Sequence, residues 1–268
     1  MTRLTLSEIW IYPIKSLAGI RLQRSNVKQK GLVYDRRWML VDEDGRFLTQ
    51  REHPEMSQFQ LTMDTEELTI LNRVSSQLIV LDLKDEKVGE SLSTIVWDDE
   101  VEAIEVGHIY SQWFSDQLQI KCKLVFFPET HKRDIDPDYA TMNEQVSLAD
   151  GYPFLIIGQA SLDDLNKRLK EPIPMNRFRP NFVFTGGEPF EEDRWKNFII
   201  GSNRFIAVKP CSRCVLTTVD QRTGVKGTEP LATLATYRKY GSKINFGQNL
   251  LAIDHDEIQE GDEIGLEA

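Results

Sequence analysis

The stretch that indicates the fold class is Trp38-Met39-Leu40-Val41-Asp42-Glu43-Asp44-Gly45-Arg46-Phe47-Leu48, in which two short apolar runs flank an acidic turn. Asp-Gly is favoured in tight hairpin turns because glycine adopts a positive φ without steric cost. We therefore predict a β-hairpin with strands at Trp38–Val41 and Arg46–Leu48 and with Asp44-Gly45 at the turn. This part of the chain is expected to be antiparallel β structure.

Similar runs recur on both sides of this hairpin, rich in β-branched and aromatic residues and separated by Asp, Gly and Ser. In the first half they predict strands at residues 4–11, 59–63, 68–71, 78–81, 101–106 and 124–127. In the second half they predict strands at residues 154–157, 181–184, 205–208 and 215–219. Short strands at this spacing are typical of a barrel or sandwich rather than a parallel α/β sheet.

Three helices interrupt the strands in this prediction. One covers His108–Leu118, one begins with Ser161 as its N-cap and stops before Pro172, and one runs over Leu231–Arg238. The polar loop Glu129–Asn143 suggests a domain boundary. We predict a mostly β (α+β) protein with two domains, a β-barrel-like domain at residues 1–128 and a second β-barrel domain at residues 129–268.

The composition is that of an ordinary globular protein, with 40% hydrophobic and 28% charged residues. The net charge of −10 argues against nucleic acid or an anionic membrane as a partner, because both attract basic surfaces. The sequence contains no apolar run of about 18 residues and no signal-peptide pattern at its start. The odd number of cysteines, three, favours a reducing compartment, so we expect a cytoplasmic protein.

The segment Lys209–Asp220 contains Cys211 and Cys214 in a C-x-x-C arrangement, for which four interpretations are open. Zinc needs four ligands, but the only other cysteine is Cys122 and the four histidines are scattered. A redox-active dithiol is expected at a helix N-terminus, whereas the run after this pair predicts a strand. Both cysteines would also fit as small core residues. In the fourth interpretation one thiolate, favoured by nearby Lys209 and Arg213, binds a soft or high-valent metal, and chemistry alone does not say which cysteine it is.

Three other segments offer groups that bind anions. Asn176-Arg177-Phe178-Arg179-Pro180-Asn181 contains two arginines, which bind phosphate or carboxylate bidentately. Tyr12-Pro13-Ile14-Lys15-Ser16 offers an ammonium and a hydroxyl, and Asp35-Arg36-Arg37-Trp38 offers a cationic pair. Each segment is equally compatible with a solvated turn or a structural ion pair. The chain contains no P-loop, H-E-x-x-H or G-x-S-x-G motif, which argues against nucleotide hydrolases and nucleophilic hydrolases.

Taken together and in this order, the segments resemble one family, the MOSC-domain proteins with an N-terminal β-barrel. The chain looks most like its amidoxime-reducing members, both mitochondrial and bacterial, the latter detoxifying hydroxylaminopurines. Cys211-Ser212-Arg213-Cys214 followed by Val215-Leu216-Thr217-Thr218-Val219-Asp220 is the most specific part of the resemblance. The segments that carry it are residues 12–16, 35–38, 176–181, 210–220, 229–234 and 246–249.

The resemblance implies a molybdenum cofactor, Mo-molybdopterin, with the thiolate of Cys214 as the metal ligand and catalytic residue. Asp220 is the nearest carboxylate in sequence and a second candidate catalytic residue, as a proton relay or a structural group. The cofactor-binding positions that the resemblance implies are Lys15, Ser16, Arg36, Tyr152, Arg179, Asn181, Ser212, Arg213 and Asn249. This chain departs from the family pattern at Gly151 and Tyr152, where animal members have threonine and serine, and at Asn249, where the family has tyrosine.

The same resemblance implies reduction of N-hydroxylated compounds to amines or amidines, with Cys214 tuning the metal. The chain ends at Ala268 without the ferredoxin domain that some bacterial relatives append. We therefore expect an external electron-transfer protein as a partner, such as a ferredoxin or a flavodoxin-type reductase. The main alternative is a non-catalytic carrier that transfers the molybdenum cofactor or its sulfur, and a third is a β binding module whose cysteines only pack.

Overall fold

The computed structural model describes residues 3–83 and 89–267 and shows a mostly β protein with few helices, as predicted. Its strands are β1 (Thr5–Ile11), β2 (Ile20–Leu22), β3 (Arg24–Lys28), β4 (Gly31–Leu32), β5 (Trp38–Val41), β6 (Phe59–Met63), β7 (Glu67–Asn72), β8 (Leu78–Asp82), β9 (Ser91–Val96), β10 (Asp99–Glu105), β11 (Lys123–Phe126), β12 (Phe154–Gly158), β13 (Phe182–Thr185), β14 (Asn197–Ile200), β15 (Asn203–Ser212), β16 (Lys239–Tyr240), β17 (Lys243–Ala252), β18 (Glu257–Gln259) and β19 (Ile264–Leu266). The α-helices in these ranges are α1 (His108–Leu118), α2 (Gln159–Arg168) and α3 (Leu231–Leu234). None of the described helices has the length and apolar character needed to cross a bilayer.

The largest sheet has nine strands, in the order β19-β14-β15-β17-β12-β13-β1-β2, with β16 paired to β17. Its strands pair antiparallel except for β12 and β13. The smaller sheets are β5-β11-β10-β9, β18-β3-β4 and β6-β7-β8. Strands β1 and β2 thus join a sheet that is otherwise built from residues 154–266. The predicted division into residues 1–128 and 129–268 stays a prediction.

The hairpin at residues 38–48 forms in part. Strand β5 occupies the predicted residues, and Gly45 takes a φ of +77° at the turn. A side chain at Gly45 would place its Cβ 2.7 Å from the Ser93 carbonyl oxygen, so only glycine fits there. The return arm is not a continuous strand, because Arg46 forms a bridge with Ile95 of β9 while Phe47 bridges back to β5.

The strand predicted for residues 215–219 is wrong. Val215–Thr218 is a short 3₁₀ helix that begins directly after Cys214. The hydroxyl of Thr217 donates to the Cys214 carbonyl oxygen at 2.9 Å, and that of Thr218 donates to the Val215 carbonyl oxygen at 2.7 Å. Threonine side chains that bond their own backbone in this way favour turns over strands. The two threonines therefore fold the chain back beside the cysteine.

Helix α1 spans the predicted residues, but the other helix ends differ from the prediction. Helix α2 begins at Gln159, so Ser161 lies within its first turn and is not the N-cap. The fully buried carboxylate of Glu192 performs the capping instead, accepting hydrogen bonds from the Gly158 N–H at 3.1 Å and the Ser161 hydroxyl at 2.9 Å. Helix α3 is a single turn that stops at Leu234, four residues before the predicted end.

Three segments that are far apart in sequence meet and place the site. The segment after β1 contains residues 12–16, the segment before β13 contains residues 178–181, and the end of β15 continues into residues 213–214. Direct contacts join the three segments, since the Tyr12 hydroxyl donates to the Pro180 carbonyl oxygen at 3.1 Å and Arg213 Nη2 donates to the Phe178 carbonyl oxygen at 2.5 Å. The motifs that are far apart in sequence are therefore neighbours in the fold.

Candidate functional site

A cavity of about 330 Å³ opens where these three segments meet. It brings together all but one of the residues that the sequence predicted for the site. The predicted residues that line it are Lys15, Ser16, Arg36, Tyr152, Arg179, Asn181, Ser212, Arg213, Cys214 and Asn249. The exception is Asp220.

The lining of this cavity is strongly cationic. Among the described residues its seven cationic side chains are Lys15, Arg36, Arg51, Arg179, Lys209, Arg213 and Lys243, and its single carboxylate is Asp150. The chain as a whole carries a net charge of −10. A cleft with this concentration of one charge attracts ligands of the opposite charge. The cavity is thus suited to an anionic ligand.

The inner wall of the cavity consists of Lys15, Arg36, Arg179 and Asn181. The guanidinium carbons of Arg36 and Arg179 each lie 4.2 Å from the centroid of the buried Tyr12 ring, a cation–π arrangement that fixes both arginines. Arg179 also donates to the Leu17 carbonyl oxygen at 2.6 Å. Burial lowers the pKa of Arg179 to about 10, so it remains charged at neutral pH.

Asp35 organises this inner wall and was missed as a site residue. Its fully buried carboxylate accepts hydrogen bonds from the Tyr12 N–H at 2.7 Å, Arg36 Nη1 at 2.5 Å and Asn181 Nδ2 at 3.0 Å. The Asn181 side-chain oxygen accepts from the Leu155 N–H at 3.2 Å. The Asn181 amide therefore links Asp35 to the backbone of Leu155 at the edge of the cavity. The sequence shows Asp35 only as the residue before two arginines.

Lys15 is buried and held from two sides. Its Nζ donates to the Leu148 carbonyl oxygen at 2.8 Å and to Asp150 Oδ1 at 2.6 Å. Burial lowers the pKa of Lys15 from 10.5 to about 8, and the nearby Asp150 carboxylate opposes this shift only in part. The ammonium group thus stays charged at neutral pH, but only narrowly.

Three residues in or next to the inner wall have a left-handed backbone conformation. Ser16, Arg36 and Arg179 have φ angles of +67°, +50° and +56°. These are three of the eight non-glycine residues with positive φ in the described part of the chain. Left-handed backbone is unfavourable for such residues and persists where the surrounding structure enforces it, often at functional sites.

The outer wall consists of Arg51, Lys209, Cys211, Arg213 and Cys214. The pairing of β15 with β17 is irregular at two points here, between Ala207 and Lys209 and between Pro210 and Ser212. Such bulges redirect side chains, and they accommodate the proline, which cannot donate to a ladder. Cys214 follows this strand and exposes its thiol.

The turn that follows Cys214 is anchored from the interior. The buried Arg177 donates through Nε to the Thr217 carbonyl oxygen at 2.8 Å and through Nη2 to the Glu229 carbonyl oxygen at 3.1 Å. The Cys214 carbonyl oxygen accepts from both the N–H and the hydroxyl of Thr217. The exposed thiol is therefore carried by a fixed backbone.

Two polar atoms of the cavity lining are buried without a hydrogen-bond partner, namely Arg213 Nε and the Tyr152 hydroxyl. Arg213 uses its other nitrogens, since Nη1 donates to Cys211 Sγ at 2.8 Å and Nη2 to the Phe178 carbonyl oxygen at 2.5 Å. Buried polar groups without a partner are rare in folded proteins and call for an explanation. A polar ligand in the cavity would supply the missing partners.

Arg51 is a further lining residue that the sequence did not indicate. Its Nη1 lies 3.7 Å from Cys214 Sγ, although 163 positions separate the two residues. The surrounding sequence, Thr49-Gln50-Arg51, carries no motif, and a single arginine after a hairpin is usually exposed to solvent. Only the packing of residues 47–51 against the second half of the chain reveals its place.

Asp220 lies outside the cavity lining. Its Oδ1 accepts from the N–H of Arg222 at 3.1 Å and from the N–H and hydroxyl of Thr223 at 2.8 and 2.9 Å. Its Oδ2 lies 3.6 Å from Arg177 Nη1. An aspartate at the start of a turn commonly bonds the following backbone in this way. The geometry thus favours a turn-stabilising role for Asp220 over the predicted catalytic one.

Comparisons with known proteins agree with the motif pattern. Residues 3–121 match the MOSC N-terminal beta barrel domain, and residues 143–265 match the MOSC domain. Human mitochondrial amidoxime-reducing component 1 is 34% identical over 280 residues, covering 98% of this chain and 82% of its own length. Rat mitochondrial amidoxime reducing component 2 is 36% identical over 245 residues, covering 87% of this chain and 72% of its own length.

A second group of relatives carries a different name. The molybdenum cofactor sulfurase of Arabidopsis thaliana is 32% identical over 278 residues, which is 95% of this chain but only 34% of that protein. Because several relatives are named mitochondrial, the expected cytoplasmic location stays a prediction. The chain belongs to the family that joins a MOSC N-terminal beta barrel domain to a MOSC domain, the family of the mitochondrial amidoxime-reducing components.

Proposed function

We propose that this protein binds the molybdenum cofactor in its cationic cavity and reduces N-hydroxylated compounds, with electrons from an external electron-transfer protein. The substrate class comprises hydroxylamines, amidoximes and N-hydroxylated purines, and the donor would be a ferredoxin or a flavodoxin-type reductase. The observation that carries the proposal is the exposed thiol of Cys214 at the edge of a cavity with seven cationic side chains and one carboxylate. The names of the amidoxime-reducing relatives support the reaction class.

The residues of the cavity fit this cofactor. Its phosphate and dithiolene are anionic, and the guanidinium groups of Arg36, Arg179 and Arg213 are suited to bind such groups bidentately. The unpartnered Arg213 Nε and Tyr152 hydroxyl would both gain a polar partner. A cysteine sulfur is a suitable ligand for a metal of this kind, and Cys214 presents its sulfur at the cavity.

When bound, the cofactor supplies the two-electron chemistry that removes the oxygen atom of an N–OH group. The protein contributes charge and position. Asp35 holds Arg36 at the inner wall, and Arg177 together with Thr217 holds the backbone that carries the Cys214 sulfur. Contacts of this kind fix the side chains of a site, and a site that is fixed in this way loses little entropy when a ligand binds.

The test compares Cys214→Ala with wild-type protein from cells that make the cofactor and also express a second molybdenum protein as a loading control. We expect molybdenum and pterin in the wild-type protein and conversion of benzamidoxime to benzamidine with a chemically reduced dye. In Cys214→Ala both the metal content and the turnover should be lost. The matched control is Cys122→Ala, because Cys122 lies in the hydrophobic core between α1 and β11 and should leave both readouts intact.

Two outcomes would contradict the proposal. Full metal content and turnover in Cys214→Ala would remove the assigned ligand. Absence of molybdenum from wild-type protein, while the second molybdenum protein of the same cells is loaded, would remove the cofactor.

A cofactor carrier, or a protein that transfers the sulfur of the cofactor, is the second candidate function. It is favoured by the relatives named molybdenum cofactor sulfurase, which match almost the whole of this chain. The dye assay separates the two functions, since a carrier loaded with cofactor yields no benzamidine. Transfer to a cofactor-free molybdenum enzyme would then be the activity to measure.

A further inference from the structure

We infer that Arg51 is a positioning residue for the sulfur of Cys214, and that Trp97 serves to hold Arg51 in place. The inference rests on the proposed function in one respect, that Cys214 is the metal ligand. It assigns a role at this site to residues of the first half of the chain that belong to none of the motifs above.

The contact itself is specific. Nη1 of Arg51 lies 3.7 Å from Cys214 Sγ, within range of a hydrogen bond to sulfur. Arg51 has no carboxylate within 4.0 Å among the described residues, and the Asp150 carboxylate acts on it only at longer range. Its own backbone carbonyl oxygen accepts from Lys226 Nζ at 3.0 Å, which joins residue 51 to the turn after Cys214. The guanidinium is thus directed at the sulfur from an anchored backbone.

An aromatic support fixes the Arg51 side chain. Its guanidinium carbon lies 4.1 Å from the Trp97 ring centroid and 5.8 Å from that of Phe47. The two rings pack edge to face with their centroids 5.2 Å apart. A planar guanidinium stacks well on such a surface while its edge remains free to donate. Without the stack, a side chain of this length would lose its preferred orientation in solvent.

Trp97 occupies a position where a tryptophan is not expected. It is the first of the two turn residues between β9 and β10, since Val96 pairs with Asp99, and its φ is +59°. Tight hairpins favour glycine, asparagine or aspartate at a positive-φ position. The indole is 45% exposed, so burial does not explain the choice. Strained backbone that presents an exposed aromatic ring points to a role for that ring.

The indole also connects the outer wall to the inner wall. Its Nε1 donates to Asp150 Oδ1 at 3.2 Å, and the same oxygen accepts from Lys15 Nζ at 2.6 Å. Trp97 is therefore held at its edge while its face supports Arg51. A guanidinium that donates to the sulfur withdraws charge from it and restricts its direction. Arg51 would in this way set the direction from which the Cys214 sulfur approaches the metal.

The first experiment uses the protein without cofactor and compares Arg51→Gln with Arg222→Gln, an exposed arginine on the same turn region. Cys214 is alkylated at one pH with iodoacetate, which is anionic, and with iodoacetamide, which is neutral, and peptide mass spectrometry follows each cysteine. Both reagents react with the same thiolate. The rate with iodoacetate divided by the rate with iodoacetamide therefore reports the positive charge beside the sulfur. We expect this ratio to fall by about fivefold in Arg51→Gln, as the loss of a nearby charge implies, and to stay unchanged in Arg222→Gln.

The second variant, Trp97→Gly, keeps Arg51 and removes its support. The ratio should fall in this variant as well, because the guanidinium leaves the sulfur. An unchanged ratio in Arg51→Gln would overturn the inference, and a fall in Arg51→Gln without one in Trp97→Gly would overturn the role of Trp97. A merely structural role for Arg51 would change stability but not the ratio.

The third readout uses the loaded protein. The sulfur-to-molybdenum charge-transfer absorption should shift in Arg51→Gln and keep its wild-type position in Arg222→Gln. An identical band in all three proteins would contradict a role of Arg51 at the metal ligand. If wild-type protein binds no molybdenum, the proposed function fails, whereas the alkylation ratio still decides whether Arg51 acts on the sulfur.

Discussion

The inner wall and the outer wall of the cavity hold the same kind of side chain in opposite ways. In the inner wall two of the three cations are compensated by carboxylates, Arg36 by the buried Asp35 and Lys15 by Asp150, while Arg179 donates to the Leu17 carbonyl oxygen. In the outer wall Arg51 and Arg213 contact sulfur atoms, a carbonyl oxygen and aromatic rings. Within residues 3–83 and 89–267 neither of these two arginines has a carboxylate within 4.0 Å.

The ion pairs of the inner wall stabilise the fold, whereas the unpaired arginines of the outer wall remain available to an anionic ligand. A buried charge without a partner is strongly destabilising, so the inner pairs must form for the chain to fold around the cavity. The half-exposed cations of the outer wall retain contact with water, and Lys209 alone among them has a carboxylate within 4.0 Å in the described residues, that of Asp136 at 3.8 Å. The inner wall therefore gives the cavity its shape, and the outer wall gives it most of its free positive charge.

The largest expected effect is the loss of the carboxylate at the centre of the inner wall. Asp35→Asn keeps the shape of the side chain but leaves Arg36 without its counter-charge in a buried site. We expect the free energy of unfolding to fall by about 3 kcal/mol or more, measured by urea denaturation. The matched control is Asp254→Asn, which breaks the exposed pair with Arg204 and should have a much smaller effect. A loss no greater than that of the control would contradict the structural role of the inner pairs.

The next effect is a dependence on pH that belongs to Lys15. Its pKa in the folded protein, about 8, is lower than the ordinary value of 10.5 that applies in the unfolded chain. Between these pH values the unfolded state binds more protons, so stability rises with pH. Relative to Lys15→Met, the wild-type free energy of unfolding should rise by up to about 3 kcal/mol from pH 8 to pH 10.5 and be flat below that window.

The control for this prediction is Lys15→Arg, measured against the same Lys15→Met protein. Arginine stays charged over the whole window, so this difference should be flat. A flat difference for wild-type protein as well would mean that Lys15 is not desolvated at the inner wall.

The sequence predicted the parts of the fold that local chemistry controls. Strand β5 and helix α1 occupy the predicted residues, and Gly45 takes the positive φ that the Asp-Gly turn requires. Hydrogen bonds made by side chains misled the prediction in two places. Thr217 and Thr218 bond their own turn and prevent a strand, while Ser161 donates to Glu192 instead of capping α2. The residue that caps α2 is Glu192, which lies about thirty residues further along the chain, so no local pattern reveals it.

The candidate site divides in the same manner. Arg179 was indicated by the composition of its motif and Cys214 by the resemblance to MOSC-domain proteins, and the fold brings both to one cavity. Asp35 and Arg51 were missed for a physical reason. Each acts through a partner that is 146 or 163 positions away, Asn181 and Cys214 respectively, and such contacts depend on how the sheets pack. Sequence patterns therefore predict most of the groups that line the cavity and miss groups that hold other side chains in place.

The smallest expected effect concerns the backbone of Trp97, and it tests whether this residue destabilises the fold through its positive φ. Trp97→Gly and Trp97→Ala both remove the indole, so their difference isolates the backbone at φ +59°. Glycine adopts this conformation freely and alanine does not, and we expect Trp97→Gly to be more stable than Trp97→Ala by about 1 kcal/mol. The same pair at Trp113, inside α1, should show the opposite order, because glycine is the poorer helix residue. Equal stabilities at residue 97 would mean that the hairpin accepts a large side chain there without strain. The stacking of Trp97 on Arg51 would then cost the protein no stability, and it would need no functional explanation.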